Sequence, residues 1–374
     1  MKVQNKTSLV SNINIDVTKK QPRVIICYIT TPFLLPFCVG KTNYSHTNFV
    51  EALQIIRYFA SRDFIIDMVD CTDTSILSEI EDIHYDFIFG LGEVFCSMVK
   101  KYPYVNNCIY VTENSPDFSY EKEMERINYF YERLKFKFPP TISGLYYKNE
   151  HFEFAKNALV MGIKSQFEKY NYKNLVTINP TGIKNDDYIE HCPITDEIKK
   201  SFLWAGIRGP VHKGLDILIE IAYKNRDLNL HICGLSEERL GPFREVISKC
   251  INIHNHGFVN INSQKFINII NSTTFMVLPS CSEAMNTSVL TVARHGLLPL
   301  LLRNSGMDRL SDYAFWLDDF KIEHIEKRMR EVSKLDNDFL MKKSRELQKY
   351  ANEEFCLEKF SENFKKCMNE ILKN

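Results

Sequence analysis

Two basic side chains lie in a short loop that follows an apolar, β-branched segment. Arg208 and Lys213 belong to the sequence GIRGPVHKGLD, in which a predicted strand ends at Gly206 and a predicted helix begins at Gly214. An arginine can hold two phosphate oxygens at once, and a lysine supplies a mobile point charge. Because ligands of parallel α/β sheets bind at the carboxyl ends of strands, the pair indicates an anion site. The alternative is that both are solvated loop charges, and spacing alone does not decide.

A second polar loop, SCSEAMNTS, follows another predicted strand and precedes a predicted helix. It carries the carboxylate of Glu283 and then the small polar residues Asn286, Thr287 and Ser288. The free N–H groups and the dipole of a helix N-terminus favour phosphate. A carboxylate beside a phosphate would be repelled by it, so the natural partners of Glu283 are neutral hydroxyl groups such as those of a sugar. The alternative for Glu283 is a solvated or turn-capping carboxylate.

The elements around these loops follow the pattern of βα units. Short apolar runs recur, and each is followed by a segment of helical period, which is typical of parallel sheets. One series occupies the first half of the chain, and a second begins near Phe202. The polar segment Pro180–Pro193 is the best candidate for a linker between them. We therefore expect an α/β protein with two Rossmann-like domains.

The two loops together resemble motifs of the retaining GT-B glycosyltransferases of the family 4-like group. GIRGPVHKGLD is similar to their G-R-…-K-G element, and PSCSEAMNTSVLT is similar to the start of their E-x7-E motif. The resemblance implies that Arg208 and Lys213 bind and stabilise the donor diphosphate, and that Glu283 contacts the donor sugar. We expect catalytic roles for these three. The full set of expected donor-site residues is Gly206, Arg208, Lys213, Glu283, Asn286, Thr287 and Thr291.

The GT-B resemblance also implies an architecture. Its two Rossmann-like βαβ domains face a cleft, and a C-terminal helix crosses back onto the N-terminal domain. The corresponding boundaries are 1–190 for an acceptor-side domain, 191–355 for a nucleotide-sugar donor domain and 356–374 for the crossover helix. In the first domain, His46 and Glu113 are the candidates on the acceptor side. The alternatives are a helix-capping or surface histidine and a turn-capping carboxylate.

The implied reaction moves a sugar from a nucleotide-sugar donor to an acceptor hydroxyl, on a glycan or a lipid-linked molecule, with retention. Protein cations stabilise the leaving diphosphate, so neither a metal nor another cofactor is expected. One departure matters, because Thr291 stands where the motif has its second Glu, which in the family commonly binds the ribose. That departure favours a rival hypothesis: a non-catalytic GT-B domain that binds nucleotide sugar or glycan as an assembly partner.

The amino-acid composition narrows the functional classes that remain possible. The 374 residues carry 47 Lys+Arg and 47 Asp+Glu, so the basic excess expected of a nucleic-acid-binding protein is missing. The 11 cysteines are scattered singly, which favours reduced thiols and a cytoplasmic location. KKYPY (100–104) and YERLKFKF (131–138) are the candidates for contact with the cytoplasmic face of a membrane.

The sequence GLGEVF (90–95) partly matches the G-x-G-x-x-G motif of dinucleotide-binding proteins. It does not predict a dinucleotide site, because Phe95 occupies the position of the third glycine.

Overall fold

The computed structural model describes residues 8–34, 46–80, 83–190 and 192–373. The sequence predicts a first strand over Val24–Thr30, and the sequence GKTNYSH (40–46) that follows it lies outside these ranges except for His46. The helices, numbered in chain order, are α1 (Thr31–Leu34), α2 (Thr47–Ser61), α3 (Gly92–Lys101), α4 (Pro116–Leu134), α5 (Asn149–Glu153), α6 (Leu215–Lys224), α7 (Arg244–Ser248), α8 (Gln264–Asn271), α9 (Thr287–Ala293), α10 (Ile322–Val332), α11 (Asn337–Glu354) and α12 (Leu357–Leu372).

The chain divides into two compact units. Unit 1 consists of Met1–Pro116, Gly144–Pro180 and Leu357–Asn374, and unit 2 consists of Asp117–Ser143 and Thr181–Cys356. The chain therefore passes into unit 2 about ten residues before the boundary at 190 that the sequence suggested, and it returns beside the suggested boundary at 355. A further difference is the segment 117–143, which contains nearly all of α4 and lies in unit 2 rather than with its sequence neighbours.

Unit 1 is built on a sheet with the strand order β1-β3-β2-β4-β5-β6-β7. All neighbouring strands are parallel except β1, which pairs antiparallel with β3 at one edge. The strands are β1 (Leu9–Ile13), β2 (Arg23–Tyr28), β3 (Ile65–Asp70), β4 (Phe87–Gly90), β5 (Asn106–Val111), β6 (Asn157–Val160) and β7 (Asn174–Thr177). The sequence pattern did not predict β1, whose residues are only half-buried or exposed.

The last helix, α12, packs within unit 1. Its apolar face meets α2, where the ring of Phe364 lies edge-on to that of Tyr58 at 5.5 Å, and the Tyr58 hydroxyl donates a 3.0 Å hydrogen bond to Asn369. Phe364 also contacts Phe89 of β4, at 5.7 Å between ring centres. An amphipathic helix must bury its apolar stripe against another element, and α2 and the sheet provide that surface.

Unit 2 is built on a fully parallel sheet with the order β10-β9-β8-β11-β12-β13. Its strands are β8 (Ser201–Ala205), β9 (Asn229–Cys233), β10 (Ile253–Asn255), β11 (Phe275–Leu278), β12 (Leu298–Leu302) and β13 (Phe315–Leu317). The chain runs outward from β8 through β9 to β10 and then returns to the other side of β8 with β11. The position between β8 and β11 is therefore the topological switch point, where open α/β sheets bind ligands.

Both units have a Rossmann-like α/β layout, and this confirms the fold class predicted from the sequence. The sequence pattern also predicts a single helix over Glu237–Lys249, and this prediction is wrong in detail. A 3-10 turn occupies Glu237–Phe243, and α7 follows it as a separate element. Gly241 has a φ of 52°, a left-handed conformation that interrupts the helix, and Pro242 has no N–H to continue it. Within the described residues, no helix has the length and apolar character needed to span a membrane.

Candidate functional site

The two loops singled out in the sequence leave neighbouring strands at the switch point of unit 2. Strands β8 and β11 pair directly, with Phe275 opposite Phe202 and Met276 opposite Leu203. The β8–α6 loop (residues 206–214) and the β11–α9 loop (residues 279–286) therefore begin side by side at the carboxyl edge of the sheet. The structure brings the predicted diphosphate-binding and sugar-binding residues together as the parallel topology requires.

Small residues shape the β8–α6 loop around Lys213. A Cβ atom added to Gly206 would lie 3.0 Å from Cδ of Lys213 and 2.8 Å from the ring of Trp204, so the glycine leaves room for the lysine stem. The Trp204 indole N–H donates a 3.0 Å hydrogen bond to the carbonyl of Lys213. Gly214 then caps α6 with a φ of 71°, a conformation that glycine adopts without strain.

Lys213 and Glu283 form an ion pair between the two loops. The Nζ of Lys213 donates to Oε1 of Glu283, and the side chains are only 12% and 15% exposed. The Ser280 hydroxyl donates a further hydrogen bond of 2.8 Å to the same carboxylate oxygen. Burial tends to raise the pKa of Glu283, but the positive charges of Lys213 and His212 outweigh it and lower that pKa. Glu283 is therefore an ionised acceptor.

Arg208 has a different environment in the same loop. Its side chain is exposed, and it forms no hydrogen bond or ion pair with any residue that the structure describes. The guanidinium group keeps all of its donors available in a fixed planar arrangement. The same loop thus carries one exposed arginine and one lysine that is held by a carboxylate, and such cations are able to receive an anionic ligand.

The polar residues at the start of α9 already have structural roles. The Asn286 side-chain oxygen accepts from the N–H groups of Ser288 (3.0 Å) and Val289 (3.3 Å), so Asn286 is the N-cap of the helix. The Ser288 hydroxyl donates to Asn286 and to the carbonyl of Ala205 at the end of β8. Thr287 is half-buried beside them. The capping interaction leaves fewer free N–H groups at this helix end than the sequence suggested.

Thr291, the residue that stands where the motif has a second Glu, is buried. Its hydroxyl accepts a 3.1 Å hydrogen bond from the N–H of Ile183, and its carbonyl lies 2.6 Å from Nδ1 of His295. A Cβ added to Gly182 would come within 2.8 Å of the N atom of Thr291, so the segment after Pro180 packs tightly on α9. The Thr291 hydroxyl thus has a partner within unit 2, and a contact with ribose would have to displace it.

The two acceptor-side candidates belong to unit 1. His46 is the N-cap of α2, where its Nδ1 accepts from the N–H of Asn48 at 3.4 Å and its ring lies 5.6 Å from that of Phe49. This is the helix-capping alternative that the sequence left open. Glu113 is half-buried in the loop that follows β5. Their contact with an acceptor stays a prediction.

Sequence reasoning missed the contribution of α4 to this site. The helix contacts both loops: Glu123 lies 3.3 Å from Nδ1 of His212, and the Ser119 hydroxyl lies 3.2 Å from that of Ser282. Arg126 is completely buried and donates a 2.5 Å hydrogen bond to the carbonyl of Pro279. A signal was present in the sequence, because Ser119, Glu123 and Arg126 lie on the same stripe as the buried Ile127 and Phe130 of α4.

Potential metal ligands meet at a different place. Among the residues that the structure describes, one group of carboxylate and histidine atoms lies within 4.8 Å of one another, and it consists of Glu93, Glu150 and His151 in unit 1. Lys148 pairs with Glu93 at 2.9 Å, and Lys100 pairs with Glu150 at 2.8 Å. Two lysines thus already neutralise the carboxylates of this group, and neither loop of the candidate site contributes to it.

No protein-family model matches the sequence, and none of the curated proteins matches it. Solved structures do match. Sucrose-phosphate synthase from Thermosynechococcus elongatus has a TM-score of 0.64 and 10% identity, over 95% of this chain and 100% of that chain. HepE of Anabaena in complex with UDP and glucose has a TM-score of 0.61 and 10% identity, over 94% and 100%.

A glycosyltransferase from Rickettsia africae is also similar, with a TM-score of 0.58 and 14% identity, over 95% of this chain and 100% of that chain. Each of these three similarities covers at least 94% of this chain and 100% of the other chain. At such low identities they establish the fold alone. The chain has the two-domain GT-B fold that the loop motifs implied.

Proposed function

We propose that this protein is a glycosyltransferase that transfers a sugar from a nucleotide-sugar donor to an acceptor hydroxyl, with retention at the anomeric carbon. The observation that carries the proposal is the position of Arg208 and of the Lys213–Glu283 pair, which lie on adjacent loops at the switch point of unit 2. The similar HepE structure contains UDP and glucose, which supports a ligand of this chemical class.

The charges of the site suit the two halves of such a donor. The diphosphate would bind Arg208, whose side chain is exposed, and Lys213, whose charge would then be shared between phosphate and Glu283. The carboxylate of Glu283 would accept hydrogen bonds from sugar hydroxyls, because an ionised carboxylate is an acceptor only. Arginine and lysine on one side and a carboxylate on the other thus distinguish the phosphate end of the donor from its sugar end.

The same groups would act in the reaction. As the bond to the anomeric carbon breaks, positive charge develops on the sugar ring and negative charge develops on the departing diphosphate. Arg208 and Lys213 would stabilise the leaving group, and Glu283 would hold the sugar. Removal of one such preorganised cation typically costs on the order of 3 kcal/mol, or about a hundredfold in rate. We propose that these cations replace a metal ion, so that EDTA leaves the activity unchanged.

The proposal is tested with a panel of nucleotide sugars. Calorimetry with nucleoside diphosphates first identifies the base, and mass spectrometry then detects nucleoside diphosphate released from each donor, with water or with glycan and lipid-linked acceptors. Nuclear magnetic resonance of the product reports whether the anomeric configuration is retained. Release from at least one donor supports the proposal. A product of inverted configuration would contradict retention but leave glycosyl transfer standing.

A second candidate function is binding of a nucleotide sugar or glycan without turnover. The specific observation in its favour is Thr291, which is shorter than a glutamate, neutral, and already hydrogen-bonded to Ile183. A protein of this kind would bind a nucleoside diphosphate in the calorimeter but release none from any donor. The intact set of Arg208, Lys213 and Glu283 favours the enzyme.

A further inference from the structure

We propose that Glu123 and His212 are positioning residues of the donor site, and that Glu123 keeps His212 doubly protonated so that its ring fastens the β8–α6 loop to the β11–α9 loop. This inference rests on the proposed function for the ligand concerned, although the state of His212 can be measured without any ligand. Neither residue is exposed, and neither would touch the donor; both would act through the neighbouring Lys213 and Glu283.

The His212 ring has an acceptor at each nitrogen. Its Nε2 lies 2.7 Å from the carbonyl oxygen of Ser282, which can only accept. Its Nδ1 lies 3.3 Å from Oε1 of Glu123, which also accepts when ionised. A neutral imidazole would turn a lone pair towards one of these oxygens, whereas an imidazolium donates to both. The geometry therefore favours protonation of both nitrogens.

Three further groups lie close to the ring or to its neighbours. The Cys281 sulfur lies 3.4 Å from Nδ1, and Glu283, one residue beyond Ser282, contributes a negative charge nearby. Lys213, the next residue along the chain, has its own charge directed at Glu283. Burial alone would lower the pKa of His212, but Cys281, Glu123 and Glu283 together raise it to about 10.

Glu123 is held in place by the segment that follows α4. One carboxylate oxygen accepts from the N–H of Thr141 at 2.8 Å, and the other accepts from the N–H and the hydroxyl of Ser143 at 2.8 and 2.6 Å. Burial alone would raise the pKa of Glu123, but His212 and the hydrogen bonds from Ser143 and Thr141 together lower it, so the ionised form is favoured. A fixed, ionised carboxylate is what a buried imidazolium requires.

The position of His212 in the chain links the Glu123–His212 pair to the donor-site residues. The residue directly precedes Lys213, and its ring donates to the carbonyl that directly precedes Glu283. A further contact joins the same backbones, since the N–H of Cys281 donates a 3.0 Å hydrogen bond to the carbonyl of His212. A change at the ring would therefore move the two donor-site side chains relative to each other.

Glu123→Gln tests the inference with little change of shape. A glutamine replaces one acceptor oxygen by an NH2 group and removes the charge, so His212 should lose a proton at neutral pH. Glu125→Gln is the matched control, because Glu125 lies on the same helix, is exposed, and pairs with Lys122 at the surface. His212→Gln fixes a neutral side chain at the other end of the pair.

The first measurement follows the histidine ring nitrogens by 15N nuclear magnetic resonance between pH 5.5 and 8.5, with the signals assigned through His212→Gln. In the wild type and in Glu125→Gln, both nitrogens of His212 should remain protonated throughout. In Glu123→Gln the ring should be neutral at pH 8. A neutral His212 in the wild type at pH 7, or an unchanged imidazolium in Glu123→Gln, would overturn the inference.

The second measurement is the affinity for UDP, obtained by calorimetry over the same pH range. The affinity of each variant is divided by that of the wild type at the same pH, so that the ionisation of the UDP phosphate cancels. Glu123→Gln should bind about tenfold more weakly at pH 8, the loss expected for one charged hydrogen bond, and the deficit should shrink towards pH 5.5 as His212 regains its proton. His212→Gln should show a deficit that does not depend on pH.

A deficit in Glu123→Gln that stays constant with pH would indicate a merely structural role and would overturn the inference. Should Glu123→Gln unfold, Ser143→Ala replaces it, because that change removes only one of the hydrogen bonds that hold Glu123. Absence of UDP binding in the wild type, with a protonated His212 by resonance, would instead count against a uridine nucleotide as the ligand of the proposed donor site, so the two failures are distinguishable.

Discussion

Lys213 and Glu283 form an ion pair across the two loops of the candidate site, and both side chains are largely buried. The pair explains why neither residue is a solvated loop charge, which was the alternative for each in the sequence. Ser280 adds a hydrogen bond to Glu283, so the carboxylate keeps a partner if Lys213 turns towards a phosphate. Under the proposed function, Lys213 could contact a diphosphate without leaving Glu283 unpaired.

The first prediction concerns the stability of this pair. Lys213→Met and Glu283→Gln each leave a largely buried partner with an unmatched group, and each should lower the free energy of unfolding by about 1–3 kcal/mol. The double variant should lose less free energy of unfolding than the two single variants together, and the difference, which is the coupling energy of the pair, should be about 0.5–3 kcal/mol. Urea denaturation of the four proteins measures this cycle. Strictly additive losses would mean that the two side chains do not interact in solution.

The second prediction separates binding from stability at Arg208. Arg208→Ala should change the free energy of unfolding by less than about 0.5 kcal/mol, because the side chain is exposed and has no partner among the described residues. Turnover should fall by roughly tens- to thousands-fold. Arg244→Ala is the control, since Arg244 is an exposed arginine of the same unit that pairs with Glu237. Equal turnover in both variants would remove Arg208 from the site.

The third prediction concerns the buried Thr291. Thr291→Ser keeps the hydroxyl that accepts from Ile183 and should be nearly neutral, whereas Thr291→Val leaves that N–H without its acceptor and should cost about 1–3 kcal/mol. Thr291→Glu should destabilise still more, because it buries a larger charged group. Thermal unfolding measures the series. A stable Thr291→Glu variant with tighter UDP binding would show that this position faces the ribose after all.

Much of this site follows from local sequence patterns. Gly206, Arg208 and Lys213 could be placed because a glycine-containing loop between a strand and a helix is recognisable from composition, and parallel pairing then brings the β8–α6 and β11–α9 loops together. The register of β8 against β11 adds the contact between Lys213 and Glu283. Bringing these two loops together requires only the order of the strands in the sheet.

The parts that escaped prediction depend on packing between distant segments. α4 follows β5 of unit 1 in sequence but packs in unit 2, where Arg133 pairs with Asp216 and Glu220 of α6. The burial of Thr291 likewise depends on residues 181–183, which belong to the segment Pro180–Pro193 that the sequence indicated as a linker. Local patterns indicate that a segment is helical or polar, but they do not specify which surface it covers.

The fourth prediction is a pH dependence of stability that arises from His212. Its pKa is raised from 6.5 to about 10 in the folded state, so its stabilising contribution is complete below pH 6.5 and is lost as the pH rises towards 10. In that window the wild type should lose up to about 1.4 kcal/mol per pH unit more than His212→Gln does. Denaturation of both proteins at several pH values gives the difference. Parallel curves would contradict a buried imidazolium.

The most direct test of the central claim is release of nucleoside diphosphate from a panel of nucleotide sugars, read by mass spectrometry for the wild type and for Arg208→Ala/Lys213→Ala. The wild type should release nucleoside diphosphate from at least one donor, and the double variant should release it at least about a hundredfold more slowly. Release at the wild-type rate in the double variant, or none from any donor in the wild type, would contradict the account.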